Sequence, residues 1–150
     1  MKVCFSGTFN ILHSGHKTLI KKAFETAGKN GNVFIGITDD KMIQNKKYVI
    51  PMKKRIKNLK NYLLQSGYDN RYTIKIIKDK YGPATSGDYD AIIVSPETIN
   101  TAKEINKLRK DNKIKPLKII KLDYVLAEDG KPISSTRIFE KKIDKEGNLL

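Results

Sequence analysis

Ten residues near the N-terminus, Gly7-Thr8-Phe9-Asn10-Ile11-Leu12-His13-Ser14-Gly15-His16, limit what this chain can fold into more tightly than any other stretch. They follow a short apolar run, Val3-Cys4-Phe5, and lead into Leu19, Ile20, Ala23, Phe24 and Ala27, whose spacing is helical. The layout is strand, glycine-containing turn, helix. The first N–H groups of such a helix have no intrahelical partner, and with the positive end of the macrodipole they make a site suited to phosphate. Gly7 and Gly15 are expected to clear space where a ligand approaches the backbone. Thr8 and Ser14 add hydroxyls, and His13 and His16 add imidazoles three residues apart. The chain has two histidines, and both lie here. A zinc site would need further ligands, and no cysteine or carboxylate stands close by in the sequence. A phosphate or nucleotide site is therefore expected at the first turn.

The remaining composition narrows the partners. At 150 residues the chain is expected to be one domain, 1–150, large enough to bury a proper core. No apolar run is long enough to span a bilayer, and no secretory signal pattern opens the sequence. Its one cysteine, Cys4, falls in the first strand, where an inert packing thiol is expected, and a reducing cytoplasm is the natural compartment. The net charge of +14 favours anionic partners. Lysines are dispersed along the chain among Asp and Glu, which argues against a single nucleic-acid groove.

Further strands and helices alternate. Asn32–Thr38 is a nearly continuous apolar run, as expected for a parallel strand covered on both faces. Asp39 and Asp40 suit the start of a short helical turn better than a metal site. From Lys41 to Tyr68 there is no acidic residue and eight basic ones. Met52, Ile56, Leu59 and Leu63 should pack on the sheet while the intervening lysines form a solvated face. Lys46 and Lys47 are set apart because their loop follows the second strand, at the end where ligands bind in open α/β sheets.

Residues 72–78 and 90–95 read as strands, and Ser95-Pro96-Glu97-Thr98 as a helix start with Ser95 as its cap and Pro96 in first position. Ile99, Ala102, Ile105 and Leu108 supply that helix's core face, with Asn106 and Arg109 beside it; spacing alone makes Arg109 a solvated arginine. Leu117–Leu122 is the last strand. Ile133-Ser134-Ser135-Thr136-Arg137-Ile138 opens the last helix, with three hydroxyls where a cap needs one, followed by a permanent positive fork. The tail, residues 143–150, is polar and expected to be loosely held. The expected fold is a Rossmann-like open parallel sheet of about five strands with helices on both faces. Right-handed crossovers would bring the first and last motifs to its carboxyl end, flanking one triphosphate.

Five segments carry a resemblance: Gly-Thr-Phe-Asn-x-Leu-His-Ser-Gly-His-Lys at 7–17, Asp-x-Tyr-Gly-Pro at 79–83, Val-Ser-Pro-Glu-Thr at 94–98, Ile-Asn-x-x-Arg at 105–109, and Ala-Glu-Asp-Gly-Lys-Pro-Ile-Ser-Ser-Thr-Arg-Ile at 127–138. On these the chain resembles the nucleotidyltransferase superfamily with the His-x-Gly-His motif and, along nearly its whole length, the archaeal type of phosphopantetheine adenylyltransferase. The sequence departs from that pattern at Asn10, where the family usually has an acidic residue, and at Ala84-Thr85, where threonine more often follows the proline directly.

The resemblance implies transfer of adenylyl from ATP to 4′-phosphopantetheine, giving dephospho-coenzyme A and pyrophosphate, without a covalent intermediate. It implies His16 and Lys17 as catalytic residues. Gly7, Thr8, Phe9, His13, Gly15, His16, Arg109, Ser134, Ser135, Thr136 and Arg137 would bind ATP and its phosphates, and Thr8, Lys17, Lys46 and Lys47 the acceptor's phosphate. Mg2+ would bridge the triphosphate, held by phosphate oxygens and water with no metal ligands from the protein. Oligomeric state is not legible. Other readings are a related transferase using flavin or nicotinamide mononucleotide or a polyol phosphate, a nucleotide sensor, and a non-enzymatic nucleic-acid-binding protein.

Overall fold

The computed structural model describes residues 1–43, 47–68 and 70–150. Five strands, β1 (Lys2–Gly7), β2 (Asn32–Thr38), β3 (Tyr72–Ile77), β4 (Ala91–Val94) and β5 (Lys118–Lys121), form one parallel sheet in the order β3-β2-β1-β4-β5. The helices between them are α1 (Ser14–Ala27), α2 (Met52–Gln65) and α3 (Ile99–Asp111), with a short α4 (Ser135–Phe139) near the end. The expected Rossmann-like architecture is present. The chain winds from β1 outward through β2 to β3, then returns to place β4 on β1's other side. That reversal opens a crevice at the carboxyl ends of β1 and β4, where ligands bind in open α/β sheets.

Alternation along the strands divides the core. Val3 and Phe5 of β1, Val33, Ile35 and Ile37 of β2, and Ala91 and Ile93 of β4 pack with Ile20, Ala23 and Phe24 of α1 and Leu59 and Leu63 of α2. Cys4, Ile92 and Val94 point the other way, against Ala102 and Ile105 of α3 and against Ala84 and Tyr89. Burial pushes the Cys4 thiol up to about 12, consistent with a packing role.

Three local expectations are corrected. Helix α3 begins at Ile99, not Pro96, because Thr98 Oγ1 accepts the N–H of Ser95 at 3.0 Å and the carbonyl of Ser95 accepts the N–H of Thr98 at 3.1 Å. Ser95 thus lies in a closed turn and does not cap the helix. The stretch 143–150 is not loosely held. Ile143 is fully buried with Ala127 and Ile133, Lys145 O accepts the N–H of Ser14 (3.0 Å), and Gly147 O accepts the N–H of Glu128 (2.9 Å). A lone apolar residue in a charged segment carries no periodic signal, so this anchoring was not visible in the sequence. The basic stretch before Tyr68 is mostly a solvated face, as expected, except that Arg55 is fully buried.

Candidate active site

The turn after β1 is shaped by two ring contacts. Phe9 adopts a left-handed conformation (φ 52°), and its ring, 2% exposed, packs on Phe5 with centroids 5.9 Å apart and faces His16 at 5.1 Å. A Cβ on Gly7 would lie 3.0 Å from Cζ of Phe9, and one on Gly15 would lie 2.8 Å from Cε1 of His13. Both glycines therefore make room for aromatic rings, a more specific role than the expected clearing of space for ligand.

His13 is the N-cap of α1. Its Nδ1 accepts the N–H of Gly15 at 3.1 Å, while His16 Nδ1 accepts the N–H of His13 at 3.4 Å, a capping box built from two imidazoles. The rings stack with centroids 3.8 Å apart and planes 25° from parallel. Because each Nδ1 is an acceptor, an imidazole here in its neutral form carries its proton on Nε2. Burial holds His13 down, to about 4, so it is neutral at physiological pH.

The same bonds revise how the helix start can bind an anion. The N–H of Ser14 goes to Lys145 O, that of Gly15 to His13 and that of Lys17 to the His13 carbonyl. These three amides are therefore engaged within the protein and do not donate into the crevice.

Ser135, 124 residues away in sequence, meets this turn directly. The N–H of Ile11 donates to Ser135 Oγ (3.1 Å), and the Ser135 hydroxyl donates to Ile11 O (3.3 Å). Ser134 is the N-cap of α4, its Oγ accepting the N–H of Arg137 at 3.2 Å. Of the three hydroxyls, one therefore caps, one joins the two motifs, and Thr136 is exposed. All three line a cleft of about 540 Å³ together with Gly7, Thr8, Phe9, His13, Gly15 and His16. Thr8 Oγ1 accepts from the Thr38 hydroxyl at 3.1 Å, linking the ends of β1 and β2.

Four of the expected contacts are placed elsewhere. Arg109 is 2% exposed and lies outside the cleft lining; its Nε donates to Lys115 O and its Nη1 to Ala84 O and Gly87 O, at 2.8–2.9 Å. It braces the loop before β4 against the end of α3. Arg137 pairs with Asp129 and donates to Pro132 O at 3.2 Å, so its fork is engaged on its own loop. Lys17 rests its ammonium 5.4 Å above the ring of Tyr62 on α2, and Lys47 lies 5.3 Å over Tyr48; neither lines the cleft. Lys46 lies outside the described residues.

Two residues near the turn were not singled out as functional from the sequence. Arg55 donates to Ile50 O, Thr8 O and Asp40 Oδ1. Asn10, 7% exposed, accepts the N–H of Ile50 at 2.7 Å and donates to Tyr48 O. Tyr48 in turn stacks on Phe139 of α4, with ring centroids 5.0 Å apart. The signal for Arg55 was its register: it precedes Leu59 and Leu63 by four and eight residues and so belongs to their apolar stripe. Arg109 follows Ala102 and Ile105 in the same manner.

A family model described as cytidylyltransferase-like matches residues 4–141. A phosphopantetheine adenylyltransferase from Methanosarcina mazei is 46% identical over 149 residues, covering 99% of this chain and 96% of that protein. The protein of the same name from Archaeoglobus fulgidus is 39% identical over 151 residues, with both chains fully covered. A crystal structure of an Archaeoglobus fulgidus protein of unknown function superposes with a TM-score of 0.74 at 35% identity, covering 82% of this chain and 90% of that one.

Proposed function

Since the chain belongs to the cytidylyltransferase-like family, and within it to the archaeal phosphopantetheine adenylyltransferases, we propose that it transfers adenylyl from ATP to 4′-phosphopantetheine, yielding dephospho-coenzyme A and pyrophosphate. The observation that carries the site assignment is the pair of hydrogen bonds between Ser135 and Ile11, which joins the two hydroxyl-rich motifs beside the stacked histidines. The net charge of +14 suits two polyanionic substrates.

The acceptor's phosphate is already a charged nucleophile, so the reaction needs alignment and charge stabilisation more than proton transfer. One acceptor oxygen attacks the α-phosphorus, and the bond to the β-phosphate bridge breaks with pyrophosphate carrying away its electron pair. In this reading His16 Nε2–H donates to the α-phosphate as the five-coordinate state gains charge, and His13 Nε2–H holds the phosphate chain. Ser134 and Thr136 hydroxyls face the β- and γ-phosphates, while Ser135 fixes the spacing between the motifs. Thr8 meets the acceptor phosphate. An apolar lobe of the cleft, including Phe34, Ile77, Pro83, Ala84 and Tyr89, offers room for the pantetheine arm. Arg137 would reach phosphate only by leaving Asp129, and Lys17 only by leaving Tyr62.

Among the described residues no three His, Cys, Asp or Glu side chains gather as a metal cage. Hydroxyls at the cleft fit Mg2+ that arrives with ATP, because this ion keeps phosphate and water ligands. When bound it neutralises charge on the triphosphate. Among the described residues no helix is long and apolar enough to cross a membrane, and the cytoplasm is the compartment we propose.

The test is pyrophosphate release from ATP and Mg2+ with phosphopantetheine, flavin mononucleotide or nicotinamide mononucleotide as acceptor. Release is expected with phosphopantetheine. Release with another acceptor alone would overturn the substrate, and release with none would overturn the enzyme reading.

A further inference from the structure

The most deeply buried charge in the described structure stands directly behind the cleft. Arg55 of α2 is 0% exposed, and its guanidinium gathers acceptors from three separate segments: Ile50 O at 2.7 Å, Thr8 O at 2.9 Å and Asp40 Oδ1 at 2.6 Å. Asp40 is half exposed and also accepts the N–H of Met52 at 3.4 Å. An apolar residue of similar volume would avoid the cost of burying a charge, but it would leave the Ile50 and Thr8 carbonyls and the Asp40 carboxylate without this donor. What such a residue would lack is a grip on the Thr8 carbonyl.

That carbonyl belongs to the peptide entering Phe9. A left-handed conformation at a residue with a side chain costs roughly 1–2 kcal/mol and persists only where its surroundings hold it. Gly7 lies against the Phe9 ring, Phe5 packs on it edge to face, and the His16 ring stands 5.1 Å from it between centroids. Turning the Thr8–Phe9 peptide would swing this ring and release the wall behind His16.

We propose that Arg55 is a positioning residue for adenylyl transfer: by holding the Thr8 carbonyl it fixes Phe9 and, through the Phe9 ring, the orientation of the His16 imidazole. Its bonds to Ile50 and Asp40 anchor the guanidinium so that the third bond has a fixed direction. The kinetic consequence rests on the adenylyltransferase reading; the structural consequence does not.

The experiment compares Arg55→Lys with wild type in two readouts. In the first, the 13Cε1 peak of His16 is followed by NMR, with Ile105 on the opposite face of the sheet as the reference for an intact fold. In the second, kcat and KM are measured with ATP and phosphopantetheine. Lysine keeps the charge but cannot span three acceptors. The expected result is a displaced His16 peak with Ile105 unmoved, kcat lower by about ten- to a hundredfold, and the KM for ATP within about threefold of wild type. A folded Arg55→Lys protein with its His16 peak and kcat unchanged would overturn the inference. So would a loss of activity that merely follows the folded fraction. If Arg55→Lys does not fold, Asp40→Asn decides, since it leaves Arg55 in place but weakens its anchor: a displaced His16 peak supports the inference, and an unmoved one overturns it. Wild-type protein silent toward phosphopantetheine would remove the acceptor assignment while the NMR comparison still tests Arg55.

Discussion

Replacing Asn10 with aspartate should destabilise the protein in a manner that depends on pH. Asn10 is buried, and its amide meets one donor and one acceptor: Oδ1 takes the N–H of Ile50 at 2.7 Å, and Nδ2 donates to Tyr48 O. An ionised aspartate keeps the first bond but turns an acceptor toward the Tyr48 carbonyl. The lost hydrogen bond is worth about 1 kcal/mol, and a buried acceptor left facing another costs about 1–3 kcal/mol more. Asn10→Asp should therefore lose about 2–4 kcal/mol at pH 8. Protonation restores a donor, so the folded-state pKa of the new carboxyl must lie above its unfolded value. The folded variant then binds the extra proton first, and the deficit shrinks as pH falls through that raised pKa. Urea unfolding at pH 8 and pH 5 measures the difference from wild type, with Asn10→Ala as a control whose deficit stays constant. A deficit below about 0.5 kcal/mol, or one that does not narrow at pH 5, would refute the two-sided role of the amide.

Three further outcomes follow from other bonds. His13 sits near 4 when folded against an ordinary 6.5, so the unfolded chain binds more protons between those values; stability from this residue is full above pH 6.5 and declines toward pH 4, by at most about 3 kcal/mol, and unfolding of wild type and His13→Gln across that window should converge at the acid end. Ser135→Ala should cut turnover by about ten- to a hundredfold while costing only about 1 kcal/mol in urea unfolding, because it severs the link to Ile11 without exposing a core. Ile143→Ala should cost about 2–5 kcal/mol by the same measurement, which a loosely held tail could not do.

Much of the fold was legible because apolar runs and helical stripes alternate, and a parallel sheet is what buries both kinds of pattern. The meeting of the first and last motifs was legible from handedness, and the Ser135–Ile11 bonds realise it. The buried arginines were harder. Arg55 and Arg109 stand in apolar stripes, yet what makes their burial tolerable is carbonyl oxygens of Thr8, Ile50, Ala84, Gly87 and Lys115, which sequence does not show and which come together only in the fold. The capping box of His13 and His16 had a similar difficulty: two imidazoles three residues apart were expected to serve a bound phosphate or nucleotide, whereas each Nδ1 is occupied by its own turn. The departure at Asn10 becomes intelligible in the same terms, because Ile50 N–H and Tyr48 O together call for a side chain that both accepts and donates, which an amide does without needing protonation.

The most direct test follows the phosphorus of ATP. With label on the α-phosphate, adenylyl transfer predicts that label enters dephospho-coenzyme A in step with pyrophosphate release, and that His16→Ala loses this transfer while still binding ATP. Label recovered as AMP, label transferred from the γ-phosphate, or full transfer by His16→Ala would contradict the assignment of this cleft and of the His16 imidazole within it.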